Sequence, residues 1–292
     1  MKLNIEYING LLEYEKVENG LYIIGTPIGN LGDITVRSLK ILLSVDFIIC
    51  EDTRVSKKLT NKYGINTQLK PFHKYNSKKA IPGIIKKLKL GQSIALISDS
   101  GTPIISDPGS DLIKVCSENK IKVFSIPGPS APTASIVLSD FSNTTYSFRG
   151  FFPRQNKNIL KEIVLMKAND SPTIFFESPN RIIKTLKLIF KNYKNFKITF
   201  IRELTKKNEE VINTNILDLV QTLEKRSKIY GEITFIVEPL IEEHKINFSK
   251  NDILAVADKL IKDGMSISDI SKTVAEDLNI SKREIYQLLI NK

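Results

Sequence analysis

Two carboxylates and a guanidinium stand together in Glu51-Asp52-Thr53-Arg54, just after a short apolar run. Neighbouring carboxyls can push their pKa values apart and divide acid from base work. Asp52 is equally placed to cap the helix that follows. Acid and base flank a turn again in Glu177-Ser178-Pro179-Asn180-Arg181, where Ser178 has the same capping option, and they recur in Arg202-Glu203-Leu204-Thr205-Lys206. The longest cluster is Ser98-Asp-Ser-Gly-Thr-Pro-Ile-Ile-Ser-Asp-Pro-Gly109, richer in proline and glycine than a plain connection needs. Gly101 permits a positive φ or close approach of a ligand. Asp107-Pro108 reads as an N-cap followed by the first helical residue. Thr26-Pro27-Ile28-Gly29-Asn30-Leu31 and Pro127-Gly128-Pro129-Ser130 complete the set, with Ser130 suited to an N-cap. None has the spacing of a dinucleotide fingerprint or a phosphate loop. Pro27 and Pro103 also remove backbone donors that a phosphate cradle uses. These loops suit close packing against a ligand rather than a grip on pyrophosphate.

The elements that must hold these clusters follow from the apolar pattern. Strands are predicted over 21–25, 45–50, 68–72, 93–98 and 122–126, and helices over 34–43, 53–63, 79–90, 110–119 and 130–138. Short buried runs alternating with amphipathic segments predict a parallel α/β sheet with right-handed crossovers. In such a sheet the loops leaving the carboxyl ends line the ligand crevice. A second α/β unit begins near residue 143, after a polar hinge at 140–145. Its predicted strands are 146–152, 173–176, 197–201 and 233–237, its helices 159–167, 181–190 and 216–226, and its longer connections permit a mixed sheet. A polar linker, 242–250, leads to three short helices at 252–262, 268–277 and 282–290. The last two resemble a helix-turn-helix, but acids balance bases there, which suits a packing or RNA-docking module better than DNA reading. The expected organisation is an extension (1–20), two α/β domains (21–140 and 145–240) and a small helical domain (250–292).

Composition narrows the function. Hydrophobic residues at 41% and charged residues at 26% fit a soluble globular protein, and no apolar run approaches a membrane span. The first twenty residues lack the apolar core of a signal peptide, which points to the cytoplasm. Two cysteines, Cys50 and Cys116, and two histidines, His73 and His244, offer no zinc-type spacing. The net charge is +11, and residues 53–90 contain no acid but eleven lysines and arginines. A basic stretch of this kind suits a polyanion such as nucleic acid.

Taken in order, TPIGNL, EDTR, SDSGTPIISDPG, PGPS, GFFPR, FFESPNR, RELTK and Gly231-Glu232 resemble the tetrapyrrole methylase superfamily, and within it the enzymes that methylate small-subunit ribosomal RNA. The likeness covers about residues 21–240. Ser100 departs from the family's alanine and Pro179-Asn180 from its Thr-His. The resemblance implies S-adenosyl-L-methionine held between two α/β domains, 2′-O-methylation of a cytidine ribose in 16S rRNA, and a homodimer. It places the cofactor against Thr26, Pro27, Asp99, Gly101, Thr102, Ile105, Ser130, Ala131, Phe176 and Ile233. Glu51 and Asp52, with Glu177 behind them, are then candidates to steer the ribose hydroxyl. Arg54, Arg181 and Lys206 would clamp phosphates, and Lys57, Lys58, His73, Lys74 and Arg154 would meet RNA, with no metal required. Two alternatives remain: a tetrapyrrole or protein methyltransferase on the same fold, and a non-catalytic RNA-binding protein.

Overall fold

The computed structural model describes residues 17–141, 145–169, 171–239, 253–254, 257, 260–261, 265–278 and 281–290. Its first sheet contains β1 (Gly20–Ile24), β2 (Phe47–Cys50), β3 (Leu69–Pro71), β4 (Ser93–Ile97) and β5 (Val123–Ile126). All pairings are parallel, in the order β3-β2-β4-β1-β5. The sequences GLYII, FIIC and SIALI are buried throughout, as strands covered on both faces must be.

Alternation along each strand shows which helix covers which face. Leu21, Ile23, Ile94 and Leu96 meet the helices Ser77–Lys89 and Ser110–Glu118. Tyr22, Ile24, Ile48 and Ile97 meet the helices Val36–Ser44 and Thr53–Lys62. The crossovers that follow β1 and β2 therefore lie on one face, and those that follow β3 and β4 on the other. The loop leaving β4 sits between the loops leaving β2 and β1 but departs towards the opposite face. Such a reversal opens a crevice at the carboxyl edge.

The second sheet contains β6 (Ser147–Phe151), β7 (Thr173–Glu177), β8 (Phe196–Arg202), β9 (Glu210–Asn215) and β10 (Ile233–Pro239), in the order β6-β7-β10-β8-β9. Only β6 and β7 run parallel, so the sheet is mixed. The sequence pattern does not predict β9: its residues EVINTN alternate between half-buried and exposed and include no run of apolar side chains. The helices Asn156–Lys167, Ile182–Asn192 and Ile216–Glu224 cover one face, over Phe175, Phe200 and Phe235. The other face presents Ile174, Ile201 and Ile236 to Ile136, Leu138, Phe148 and Leu204. The helix Ala131–Ile136, which follows β5, thus packs on β7 and β10 and joins the two sheets.

Both sheets fall within one compact unit, Met1–Leu240, and a second unit spans Ile241–Lys292. In the second unit the helices Ile267–Leu278 and Lys282–Ile290 share a core of Ile270, Val274, Ile285 and Leu289 with Ile253 and Ala257. Half of the hinge, the linker, His244, the first sixteen residues and parts of the expected 252–262 helix lie outside the described residues.

Candidate active-site cleft

A cavity of about 340 Å³ opens where the carboxyl-edge loops of the first sheet face the second sheet. Ile28, Gly101, Thr102, Ile105, Asp107, Ser130 and Ala131 line it from one side, and Phe151, Phe176, Ile201, Leu204, Glu232 and Ile233 from the other. Seven of the expected cofactor positions therefore share one cavity: Gly101, Thr102, Ile105, Ser130, Ala131, Phe176 and Ile233.

The remaining three, Thr26, Pro27 and Asp99, do not line it. Thr26 is buried and stitches the loops leaving β1 and β4 together. Its N–H donates to the Gly101 carbonyl at 2.9 Å, and the Gly101 N–H donates back at 3.1 Å. The Thr26 hydroxyl donates to the Ser98 carbonyl at 3.1 Å. Gly101 has φ 77°, the left-handed conformation its residue type anticipates. Asp99 accepts the Asp52 N–H at 3.1 Å and so ties the β4 loop to the β2 loop. Thr102 reaches the Pro129 carbonyl at 3.2 Å, tying in the β5 loop. Between the sheets, Asn30 donates to the Thr205 hydroxyl at 3.1 Å. A Cβ at Gly29 would stand 2.8 Å from the Leu204 carbonyl oxygen, so only glycine allows this approach.

The capping expectations for the long loop need correction. The helix starts at Ser110 behind Gly109, and no side chain caps it. Asp107 is not the N-cap. The backbone turns left-handed at Ile104 and Ser106, φ 77° and 75°, which carries Asp107 to the cavity wall. Left-handed non-glycine residues cost roughly 1–3 kcal/mol each and cluster at functional sites. Burial, and then the charge of Glu51, push the Asp107 carboxyl up to about 6 against a hydrogen bond from Ser98. Burial and Asp99 likewise raise Glu51, and burial raises Asp99. These three acids form one electrostatic group, of which Asp107 lines the cavity. Sequence reading assigned Asp107 to the helix cap and gave Phe151 no role; the only signals were its place in SDPG and the doubled phenylalanine of GFFPR.

Asp52 behaves differently. It caps the helix Thr53–Lys62 through the Arg54 N–H at 2.8 Å and also holds the Arg54 guanidinium at 2.7 Å. Hydrogen bonds from Arg54 lower its carboxyl to about 2. The capping alternative is the one realised. Ser130 occupies its N-cap position without a side-chain capping bond. Ser178 caps nothing: its carbonyl accepts from Arg181 and Ile182, and Arg181 precedes the helix.

Strand alternation also separates Phe176 from Glu177. Phe176 faces the cleft, with the edges of Phe148 and Phe151 at 4.9 and 5.7 Å between ring centroids. The Glu177 carboxylate is fully buried, accepting from Ser178 N–H and the Thr185 hydroxyl, both at 2.7 Å, and pairing with Arg181 at 3.2 Å. Arg181 also donates to the Phe152 and Pro153 carbonyls at 3.3 and 2.9 Å. Both groups are thus engaged with the protein: together they brace the strand ends behind Phe151 and Phe176. Lys206 bridges Glu203 and Glu232, both at 2.8 Å. Burial opposes its charge, but the two carboxylates hold the ammonium above the usual lysine range.

The basic stretch is not a single face. Arg54, Lys57 and Lys58 are exposed on a helix covering one face of the first sheet, and Lys78, Lys79, Lys86 and Lys89 on a helix covering the other. The charges wrap around the β3 edge. Lys70 and Lys87 are drawn onto the Phe47 ring, 4.1 and 4.6 Å from its centroid. Lys74 and His73 lie in the turn after β3, while Arg154 is exposed on the second sheet's side. Among the described residues no group of three or more His, Cys, Asp or Glu side chains is disposed to hold a metal, and no helix is long and apolar enough to cross a membrane.

The paired sheets and their shared cleft are those of a methylase: the family model of the tetrapyrrole (corrin/porphyrin) methylases matches residues 20–220. Solved structures agree on the fold. Diphthine synthase superposes with a TM-score of 0.60 at 15% identity, over 75% of this chain and 89% of its own. Cobalt precorrin-4 methyltransferase gives 0.57 at 16%, over 75% and 94%. Sequence relatives are closer. The ribosomal RNA small subunit methyltransferase I of Thermotoga maritima is 41% identical over 74% of this chain and 97% of its own. That of Bacillus subtilis is 35% identical over 91% and 92%. The chain belongs to the ribosomal RNA small subunit methyltransferase I family.

Proposed function

We propose that the chain transfers a methyl group from S-adenosylmethionine to the 2′-hydroxyl of a cytidine ribose in 16S rRNA of the small ribosomal subunit. The observation that carries this reading is the common cavity, built from turns of both sheets, in a chain whose relatives are named ribosomal RNA small subunit methyltransferase I. The cavity suits the donor in three respects. Its volume lies within the roughly 300–1,000 Å³ of ligand sites. Phe151 and Phe176 offer aromatic surface for a purine, and Asp107 offers a carboxyl to a cationic group. Bound there, the donor supplies a methyl already activated on a positively charged sulfur.

The chain's task is to bring a ribose hydroxyl into line and receive its proton. Proximity and orientation can supply much of the rate. Glu51 is the residue we assign to orienting the hydroxyl, and Asp107, whose carboxyl titrates nearer neutrality, to relaying the proton. Asp52 orients Arg54 towards phosphate, with Lys57, Lys58, His73 and Lys74 along the approach. Lys206 holds Glu203 and Glu232 at the cavity rim rather than a phosphate. The reading extends to a cytoplasmic homodimer. Leu160, Val164 and Leu165, exposed on the helix Asn156–Lys167, support self-association; sedimentation of the chain tests it.

The deciding experiment incubates the chain with labelled S-adenosylmethionine and small subunits, then maps ribose methylation. A single 2′-O-methylcytidine is expected, lost in Glu51→Gln. Label passing to a porphyrinogen instead, or no uptake of the donor in calorimetry, would overturn the assignment.

A further inference from the structure

Tyr75 has 93% of its surface exposed, more than any other large apolar or aromatic side chain among the described residues. A loose surface tyrosine would need no explanation, but the backbone of this turn is pinned. The Asn76 side chain accepts the His73 N–H at 2.8 Å and donates to the Pro71 carbonyl at 3.0 Å. The N–H groups of Asn76 and Ser77 both return to the His73 carbonyl at 3.0 Å. The turn is thus fastened to the end of β3 while its ring stands in solvent. The ring's one aromatic neighbour in the described structure is His73, edge-on at 6.1 Å.

Position gives the ring its meaning. The turn leaves the carboxyl end of β3, the edge from which the Glu51 and Ser98–Gly109 loops also emerge. His73 lies close enough to Glu51 to favour its charged form, and Glu51 in turn acts on Asp107 at the cavity wall. Glu51, Asp107 and Tyr75 therefore stand on loops that leave the same edge of the sheet. Lys74 precedes Tyr75 in the turn, Lys78 and Lys79 lie in the first turn of the helix that follows it, and all three are exposed. A presented aromatic face within a field of lysines is the combination that binds an unpaired nucleobase, the ring stacking and the lysines meeting phosphates. A protein partner would favour an apolar surround, and the surround here is cationic.

We infer that Tyr75 is a base-stacking residue that holds an unpaired nucleotide beside the one entering the cavity. This rests on the RNA-methylating reading above and adds a contact to it. Base–aromatic stacking is worth about 1–3 kcal/mol per base, or roughly five- to 150-fold in affinity.

The test compares wild type with Tyr75→Ala, Tyr75→Phe and Tyr75→Trp on small subunits and on a short single-stranded RNA carrying 2-aminopurine. Tyr75→Ala should raise the KM for RNA about tenfold or more at nearly unchanged kcat and abolish the stacking quench of 2-aminopurine. Tyr75→Phe and Tyr75→Trp should restore both, and S-adenosylmethionine affinity should not move. If Tyr75→Ala binds RNA like wild type, or Tyr75→Phe fails as alanine does, the stacking role is refuted while the methylation reading stands. If wild type binds no RNA at all, both fall. Capture of a protein through Tyr75 with RNA affinity unaffected also refutes it.

Discussion

Replacing Asp107 with asparagine should reverse a pH-dependent weakness in the fold. The Asp107 carboxyl rises from an ordinary 3.8 to about 6, through burial first and the Glu51 charge second. Between those pH values the unfolded chain has released this proton and the folded chain still holds it. The unfolded state then binds fewer protons, so stability falls as pH rises across that window. A rise of about two units at 1.36 kcal/mol each sets a ceiling of about 3 kcal/mol. The group is only half-buried, and solvent screening reduces this to about 1–2 kcal/mol. Asp107→Asn keeps the shape and hydrogen-bonding capacity but cannot ionise. Urea unfolding should find the variant close to wild type near pH 4 and about 1–2 kcal/mol more stable near pH 7. Glu51 and Asp99, also raised, leave the variant a residual slope. A wild-type advantage at pH 7, or an identical difference at both pH values, would refute the electrostatic account. Binding of a cationic donor near pH 6 should also expel part of a proton from this group. Calorimetry in buffers of different ionisation heat should show that release in wild type and less of it in the variant.

Other perturbations separate bracing from binding. Gly29→Ala sets a methyl against the Leu204 carbonyl and Thr205 hydroxyl, so donor affinity measured by calorimetry should fall at least tenfold with little change in helix content. Glu177→Ala strands Arg181 and the Thr185 hydroxyl; chemical denaturation should record a loss of about 3 kcal/mol, the scale of a broken buried pair. Reversing Lys57, Lys58 and Lys74 to glutamate should flatten the dependence of RNA affinity on salt, lowering the log–log slope by about 2 if each meets a single-strand phosphate. Donor binding should be unaffected, and an unchanged slope would reduce these lysines to solvated surface.

The parts of this molecule legible in the sequence are those set by strong periodicity. Buried runs such as GLYII and SIALI could belong only to covered strands, and the turns after them had to meet at one edge. β9 escaped because its half-polar alternation is that of an edge strand, which needs no apolar run to form. Asp107 escaped because Asp-Pro before a helix has an ordinary capping use. Only the left-handed turns at Ile104 and Ser106 redirect it, and nothing in the residue types announces them. Glu177 and Phe176 adjoin in sequence but serve opposite faces of a sheet, so a string that reads as one cluster divides into a brace and a wall. The basic stretch read as one face because charge counting ignores the strand between the two helices; winding in opposite directions sends them to opposite sides.

That edge strand has a second consequence. β3 is three residues long, with Lys70 at its centre and Pro71, which has no N–H, at its end. A short border carrying a cation and missing a donor discourages pairing with a stray extended chain. The lysines gathered around it therefore keep the molecule from self-templating as well as attracting polyanions. Variants stripped of these charges should first be screened by light scattering, since clumping would otherwise be mistaken for lost recognition.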